Sequence, residues 1–276
     1  MTAGHETAAG KGPRKRALRG SGWAGRLFRA SQPALVFGAL ILAWWLAIRL
    51  FGIPAYLLPP PGDVLPKLME ARQSLWNHTL VTMEEIVLGF ALSVVSAIPL
   101  GLLIALSPAA KRSLYPLLVF IQLVPKIAIA PLFVVWIGFG PPSKVMLTLL
   151  LTFFPLLLAS IAGFQILDPR FQYLTRSMGA TGWQTFRYLR FPSALPVIFG
   201  GLKTSATIAA TAAIVAEFVG ANKGLGYLLL QATGSLDTTY VFAILFVMTI
   251  IGLALNSVVE VAEYLMTPWR RGRGAT

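Results

Sequence analysis

Six blocks of about 20 apolar residues, parted by short polar stretches, constrain this chain more than any other feature of its sequence. They fall near 33–51, 82–106, 114–137, 145–164, 195–219 and 240–265. A helix rises ~1.5 Å per residue, so each block is long enough to cross a hydrocarbon core of ~30 Å. Charged residues make up 12% of the chain, about half the share of a soluble domain. The expectation is an all-α membrane protein with about six transmembrane helices. The first block lies too far from the start, is too long for a signal peptide and lacks an A-x-A cleavage site, so it reads as an uncleaved first helix.

The net charge of +13 is the usual footprint of a nucleic-acid binder, but the positions of the cations argue for a membrane. They gather at Lys11, Arg14, Lys15, Arg16, Arg19, Arg26 and Arg29, at Lys111 and Arg112, at Arg170, Arg176, Arg187 and Arg190, and at Arg270, Arg271 and Arg273. This alternation follows the positive-inside rule and puts both termini in the cytoplasm. The intervening stretches hold Lys67, Arg72, Lys144 and Lys223, partly balanced by Asp63, Glu70 and Asp237. Residues 1–30 read as a disordered basic cytoplasmic tail, 31–270 as one transmembrane domain and 271–276 as a second tail. In the outer stretch 52–78, Leu58-Pro59-Pro60-Pro61-Gly62 cannot be helical, and 64–76 reads as a short surface helix. The chain has no cysteine, hence no disulfide or thiolate metal site. His5 and His78 stand alone, and neither a metal set nor a catalytic triad can be assembled around them.

The connection between the fourth and fifth blocks has more structure than a linker needs. Asp168-Pro169 is an N-cap followed by proline at the first helical position, opening a helix over 169–178. Gly179 stops it as a C-terminal glycine. Thr181-Gly182-Trp183-Gln184 has the spacing of a capping box and opens a second short helix, which Pro192 is expected to end. Trp183, Phe186 and Leu189/Tyr188 share one register, flanked by Arg187 and Arg190. Such an elbow suits either insertion into a groove on a partner or a resting place on lipid headgroups.

This elbow resembles a loop of the inner-membrane permease subunits of ABC importers, which carry E-A-A-x-x-x-G-x(9)-I-x-L-P. Gly179 takes the place of the glycine, and Leu189-Arg190-Phe191-Pro192 the I-x-L-P places. Tyr173-Leu174-Thr175 stand where E-A-A is expected, a departure that bears on the contacts of the first short helix. Further segments resemble the nitrate/sulfonate/taurine and thiamine-precursor branch: Val124-Pro125-Lys126-Ile127-Ala128, Pro131-Leu132-Phe133, Trp136-Ile137-Gly138, Glu217-Phe218-Val219-Gly220, Gly224-Leu225-Gly226-Tyr227 and Pro268-Trp269. The likeness spans roughly 35–270. It implies a type I importer permease fold in a bacterial inner membrane, working as a homodimer. It further implies cytoplasmic ABC ATPase subunits docked on the loops and an extracytoplasmic solute-binding protein at the other face. Thr175, Met178, Gly179, Ala180, Trp183, Phe186, Leu189 and Pro192 would then contact the ATPase. The solute implied is small: an anion such as a sulfonate or nitrate, or a pyrimidine precursor.

No G-x-x-x-x-G-K-[ST] occurs in the chain, and Gly201-Leu202-Lys203-Thr204 lacks the adjacent Gly-Lys, so ATP chemistry would reside on another chain. The expectation is a non-catalytic subunit with no cofactor. Charges inside spans are costly and tend to face a bundle interior or a wet cavity. Lys126, Lys203 and Glu217 are therefore the candidates for the translocation pathway. Lys126 falls near the middle of the third block between Pro125 and Pro131, which should break or kink the helix. Glu217 continues a small-residue ridge, Ser205-Ala209-Ala213, and Ser93-Ala97-Gly101-Ala105 forms another, a pattern that also serves plain helix packing. Glu84, Glu85, Glu260 and Glu263 read as interfacial. An ion-coupled secondary transporter or a channel is the alternative, but the chain shows no clear repeat or coupling carboxylates, and the elbow would be idle. A membrane-embedded enzyme would need paired intramembrane Asp or His residues.

Overall fold

The computed structural model describes residues 23–270, which form helices and turns with no strand among them. Residues 1–22 and 271–276, most of the two expected tails, lie outside the described residues. Helix α1 (Trp23–Phe51) begins well before Pro33, so residues 23–30, read as tail, are helical. Residues up to Gly52 form a contact unit of their own, and Ile53 onward forms a second. The apolar part of α1 buries none of its residues. Leu35, Phe37 and Leu42 are exposed on it, as suits a helix whose solvent is lipid.

In the second unit, α2 (Pro61–Glu70) starts where the proline run ends, with Pro61 at its first position. It is shorter than expected, because α3 (Arg72–Leu106) takes up the residues that follow. Lys67 of α2 lies 3.1 Å from Asp237 and 3.7 Å from Glu70. Its hydrogen bond to Asp237 holds the Lys67 ammonium above its ordinary range.

The third span is not one helix. It consists of α4 (Pro108–Leu123), a 3-10 turn (Lys126–Ile129) and α5 (Ala130–Ile137), with an 80° bend at the break. Proline explains the break expected there. Pro125 lacks an N–H and drives Val124 to extended backbone, ψ 131°, while Pro131 sits in the first turn of α5.

Helix α6 (Pro141–Gln165) is the central post, packed along both α3 and α9 (Phe191–Gly220). Without a hydrophobic drive between helices in lipid, close approach and hydrogen bonds hold such a bundle. Both small-residue ridges serve this end. Ser93, Ala97, Ser205, Ala209 and Ala213 are fully buried. A Cβ on Gly101 would stand 2.6 Å from Ser160 Cβ, and one on Gly89 2.6 Å from Thr148 Cβ. Ser205 Oγ donates to the Thr152 carbonyl at 2.9 Å. Between α6 and α9 lie α7 (Pro169–Ser177), α8 (Gly182–Thr185) and a π turn (Phe186–Arg190). After α9 come α10 (Leu225–Gly234) and α11 (Thr238–Met266). Among the described residues, five long helices, or six with the broken pair taken as one span, meet the length and composition needed to cross a membrane.

Candidate functional site

The elbow forms as its local sequence dictates. Asp168 accepts the Arg170 N–H at 2.8 Å and caps α7. Gly179 follows the helix at φ +77°, where an L side chain is strained, although a Cβ there would meet nothing within 4 Å. Thr181 and Gln184 complete a reciprocal capping box: Thr181 Oγ1 accepts the Gln184 N–H at 3.2 Å, and Gln184 Oε1 accepts the Thr181 N–H at 2.7 Å. Thr185 Oγ1 donates to Thr175 Oγ1 at 3.2 Å, bracing the two short helices against each other. Phe186 anchors the elbow, stacked on Trp183 at 5.6 Å and on Phe164 of α6 at 6.4 Å.

The elbow residues named from the sequence divide into two sets. Thr175, Ala180, Phe186, Leu189 and Pro192 are half-buried and hold the elbow's shape, whereas Met178, Gly179 and Trp183 are exposed. Tyr173 and Tyr188 are exposed as well, at 71% and 70%. Pro192 does not end the second short helix. The π turn ahead of it lets the Phe191 N–H bond to Phe186 O, five residues back, and Pro192 falls in the first turn of α9, where no N–H is missed. The path from Gly182 to Gly220 is thus one helical run of 39 residues.

Lys126 sits at the broken span. Its ammonium donates to the Gln122 carbonyl at 2.8 Å, a group freed where α4 stops, and lies 4.8 Å from the centre of the Phe154 ring. Lys203 ties α9 to α11, 2.7 Å from Glu263 and 3.6 Å from Glu260.

Glu217 belongs to a buried clamp at the start of α10. Three successive N–H groups at that helix start are met by side chains from two other helices. Gly224 donates to His78 Nδ1 at 2.9 Å, Leu225 to Thr82 Oγ1 at 2.8 Å, and Gly226 to Glu217 Oε2. Thr82 Oγ1 in turn donates to Glu217 Oε1 at 2.6 Å. The positive end of α10 thereby meets a carboxylate that is 1% exposed. Gly224, at φ +115°, has no room for a Cβ, which would collide with that carboxylate. His78 is therefore not an idle loop residue; it also stacks on Tyr227 at 6.0 Å.

On the same face of α3, one turn further along, Glu85 pairs with Lys144 of α6 at 2.7 Å, with side chains 1% and 6% exposed. The sequence reading put Glu85 at the interface and Lys144 in an outer loop; both are buried. Hydropathy reports depth along a helix and not direction around it. The signal that was available is the recurrence of His78, Thr82, Glu85 and Gly89 on one helical face. Thr148 Oγ1 is buried beside them without a hydrogen-bond partner among the described residues.

The chain is similar to known proteins over most of its length. Residues 97–272 match the family described as binding-protein-dependent transport system inner membrane component. The formylaminopyrimidine transport permease protein ThiX of Halalkalibacterium halodurans is 37% identical over 89% of this chain and 98% of its own length. The riboflavin transport system permease protein RibX of Chloroflexus aurantiacus is 36% identical over 88% and 93%. The taurine transport system permease protein TauC of Escherichia coli is 31% identical over 83% and 86%. Among solved structures, an inward-facing MetNI methionine ABC transporter covers 71% of this chain and 97% of its own, with a TM-score of 0.51 at 18% identity, a likeness of fold. The chain belongs to the binding-protein-dependent transport system inner membrane components and is an inner-membrane permease of the ABC importer kind.

Proposed function

We propose that this chain forms half of a gated passage through which an ATP-driven importer moves a small solute handed over by an extracytoplasmic binding protein. In this reading two copies form a homodimer, each elbow docks on one cytoplasmic ABC ATPase subunit, and both termini face the cytoplasm. The observation that carries it is the elbow. A segment that only joined α6 to α9 would not need two side-chain caps, a threonine brace and a stacked aromatic anchor, nor would it expose Met178, Trp183, Tyr173 and Tyr188 at the end of the bundle. The absence of a phosphate-binding loop from the sequence supports placing ATP hydrolysis on the partner. The distribution of Lys and Arg supports the orientation.

The relatives' names range over formylaminopyrimidine, riboflavin and taurine. We place the solute in that range, as a pyrimidine precursor or a small anion such as a sulfonate or nitrate. Lys126 is the residue we set on the passage, since a half-buried cation at a broken span can receive an anionic solute. Glu217 and Lys203 act on its walls, by holding α10 and α11 to α9.

Gly179→Val tests the elbow. The space around Gly179 is open, so the substitution strains the backbone alone, by roughly 1–2 kcal/mol. The variant should insert at normal levels yet lose ATPase co-purification and at least tenfold in ATP-driven uptake. Gly179→Asn, which tolerates the left-handed region, should retain both. Normal ATP-driven uptake by Gly179→Val would remove the docking assignment. Uptake that needs no ATPase and stops with a protonophore would favour the ion-coupled carrier.

A further inference from the structure

A groove of about 520 Å³ runs between the last turns of α3 and the elbow. One wall is apolar, made by Leu102 and Leu106 of α3 and by Trp183. Arg176 and Arg190 line it too. A second groove of about 370 Å³ shares Leu106 and Arg190 with the first and adds Lys111. No Asp or Glu lines either one. Among the described residues none of these three cations has a carboxylate within 4 Å. Lys111 is held by the neutral Gln165 at 3.2 Å.

A basic groove with an aliphatic wall, at the end of membrane-crossing helices, has a particular complement. The ligand must be anionic at one end and apolar at the other, and it must reach the site from within the membrane surface. Soluble anions meet the first condition and fail the second. A polar partner surface gains nothing from Leu102 and Leu106. We infer that this groove holds the headgroup and upper acyl chain of one anionic phospholipid, with the phosphate between Arg176 and Arg190 and the chain along Leu102 and Leu106. Basic pockets between transmembrane helices suit such headgroups, and each cation near an anionic surface contributes roughly fivefold to affinity. The lipid would fill the angle between the elbow and α3 and so fix the pose from which Met178 and Tyr188 project. The inference goes beyond the permease reading and does not need it, because its readout involves neither ATP nor uptake.

The test uses the full-length chain in nanodiscs made of phosphatidylcholine with graded phosphatidylglycerol, read by native mass spectrometry of retained lipid. One phosphatidylglycerol per chain should survive detergent exchange. Arg176→Gln with Arg190→Gln should weaken its retention about 30-fold, as expected for two cations. Arg170→Gln with Arg187→Gln removes the same charge from elbow positions that do not line the groove and should weaken retention clearly less than the groove pair does. Equal loss in both double variants would reduce the effect to net charge and overturn the inference. So would equal retention of phosphatidylcholine, or displacement of the lipid by soluble glycerol 3-phosphate. Should Arg176→Gln with Arg190→Gln not insert, the wild-type titration decides: no preference for phosphatidylglycerol over phosphatidylcholine overturns it.

Discussion

Replacing Lys144 with methionine would expose the energetics of the buried ion pair most directly. The pair is short, at 2.7 Å, and almost free of solvent, with side chains 6% and 1% exposed. Taking two charges out of water costs several kcal/mol each, and their attraction offsets that cost only while both are present. Lys144→Met strands Glu85 without its cation, and the expected loss is about 3–5 kcal/mol. For a chain of this size that corresponds to a fall of roughly 6–20 °C in thermal midpoint. Glu85→Leu combined with Lys144→Met removes both charges and keeps much of the volume, so its loss should stay within about 2 kcal/mol of wild type. The assay is a double-mutant cycle on purified protein in one detergent, read by thermal unfolding and by retention of a monodisperse elution peak. The cycle should return a coupling of at least about 2 kcal/mol. If the single and double variants melt together, the pair contributes through packing and not through charge, and the reasoning fails.

Two further outcomes follow from the clamp and from the broken span. Gly224→Ala drives a Cβ into the Glu217 carboxylate at φ +115° and should cost about 2–5 kcal/mol from overpacking and backbone strain together; proteolysis of the α9–α10 connection at a rate equal to wild type would contradict this. Lys126→Met should lower uptake of an anionic solute roughly tenfold, the worth of one charge-assisted hydrogen bond, and leave a neutral heterocyclic solute within about twofold. Equal effects on both solutes in competition uptake would take Lys126 off the passage.

What the sequence disclosed and what it hid divide by range. Asp168 with Arg170, and Thr181 with Gln184, are contacts between residues two and three apart, and short polar side chains before apolar runs declare them. The break at Pro125 was legible for the same reason, since proline acts on its own residue and the one before it. The Thr82–Glu217 bond spans 135 positions and the Lys144–Glu85 bond 59. No local pattern encodes such partners. Sequence marked Glu217 as unusual because a carboxylate in an apolar block stands out, and passed over Glu85 and Lys144 because they lie near block ends. The π turn was hidden as well. Proline at 192 predicts a stop by the local rule, whereas the chain widens the turn ahead of it and packs Phe186 on Phe164.

That widened turn also bears on where the bundle can bend. Beyond Pro196, α9 is fixed to α6 by close contact of Gly201 with Ala159 and by the Ser205 bond to Thr152 O, and at its far end Glu217 is fixed to α3 and α10 through Thr82 and Gly226. Helices bend at prolines and at π turns, where the hydrogen-bond ladder is already interrupted. The π turn Phe186–Arg190, Pro192 and Pro196 lie together at the one stretch of the 39-residue run that has all these interruptions, and its hold on α6 is the stacking of Phe186 on Phe164 and the close approach of Gly163 to Ala194. A force applied to the exposed elbow side chains therefore meets its softest joint at 186–196, inside the ring stack of Trp183, Phe186 and Phe164. Phe186→Leu, which removes the stack and keeps the fill, should loosen that joint while leaving the clamp intact. Faster amide exchange confined to 183–196, with no change around 217–226, is the expected result; exchange that quickened along all of α9 would mean the run bends as a whole.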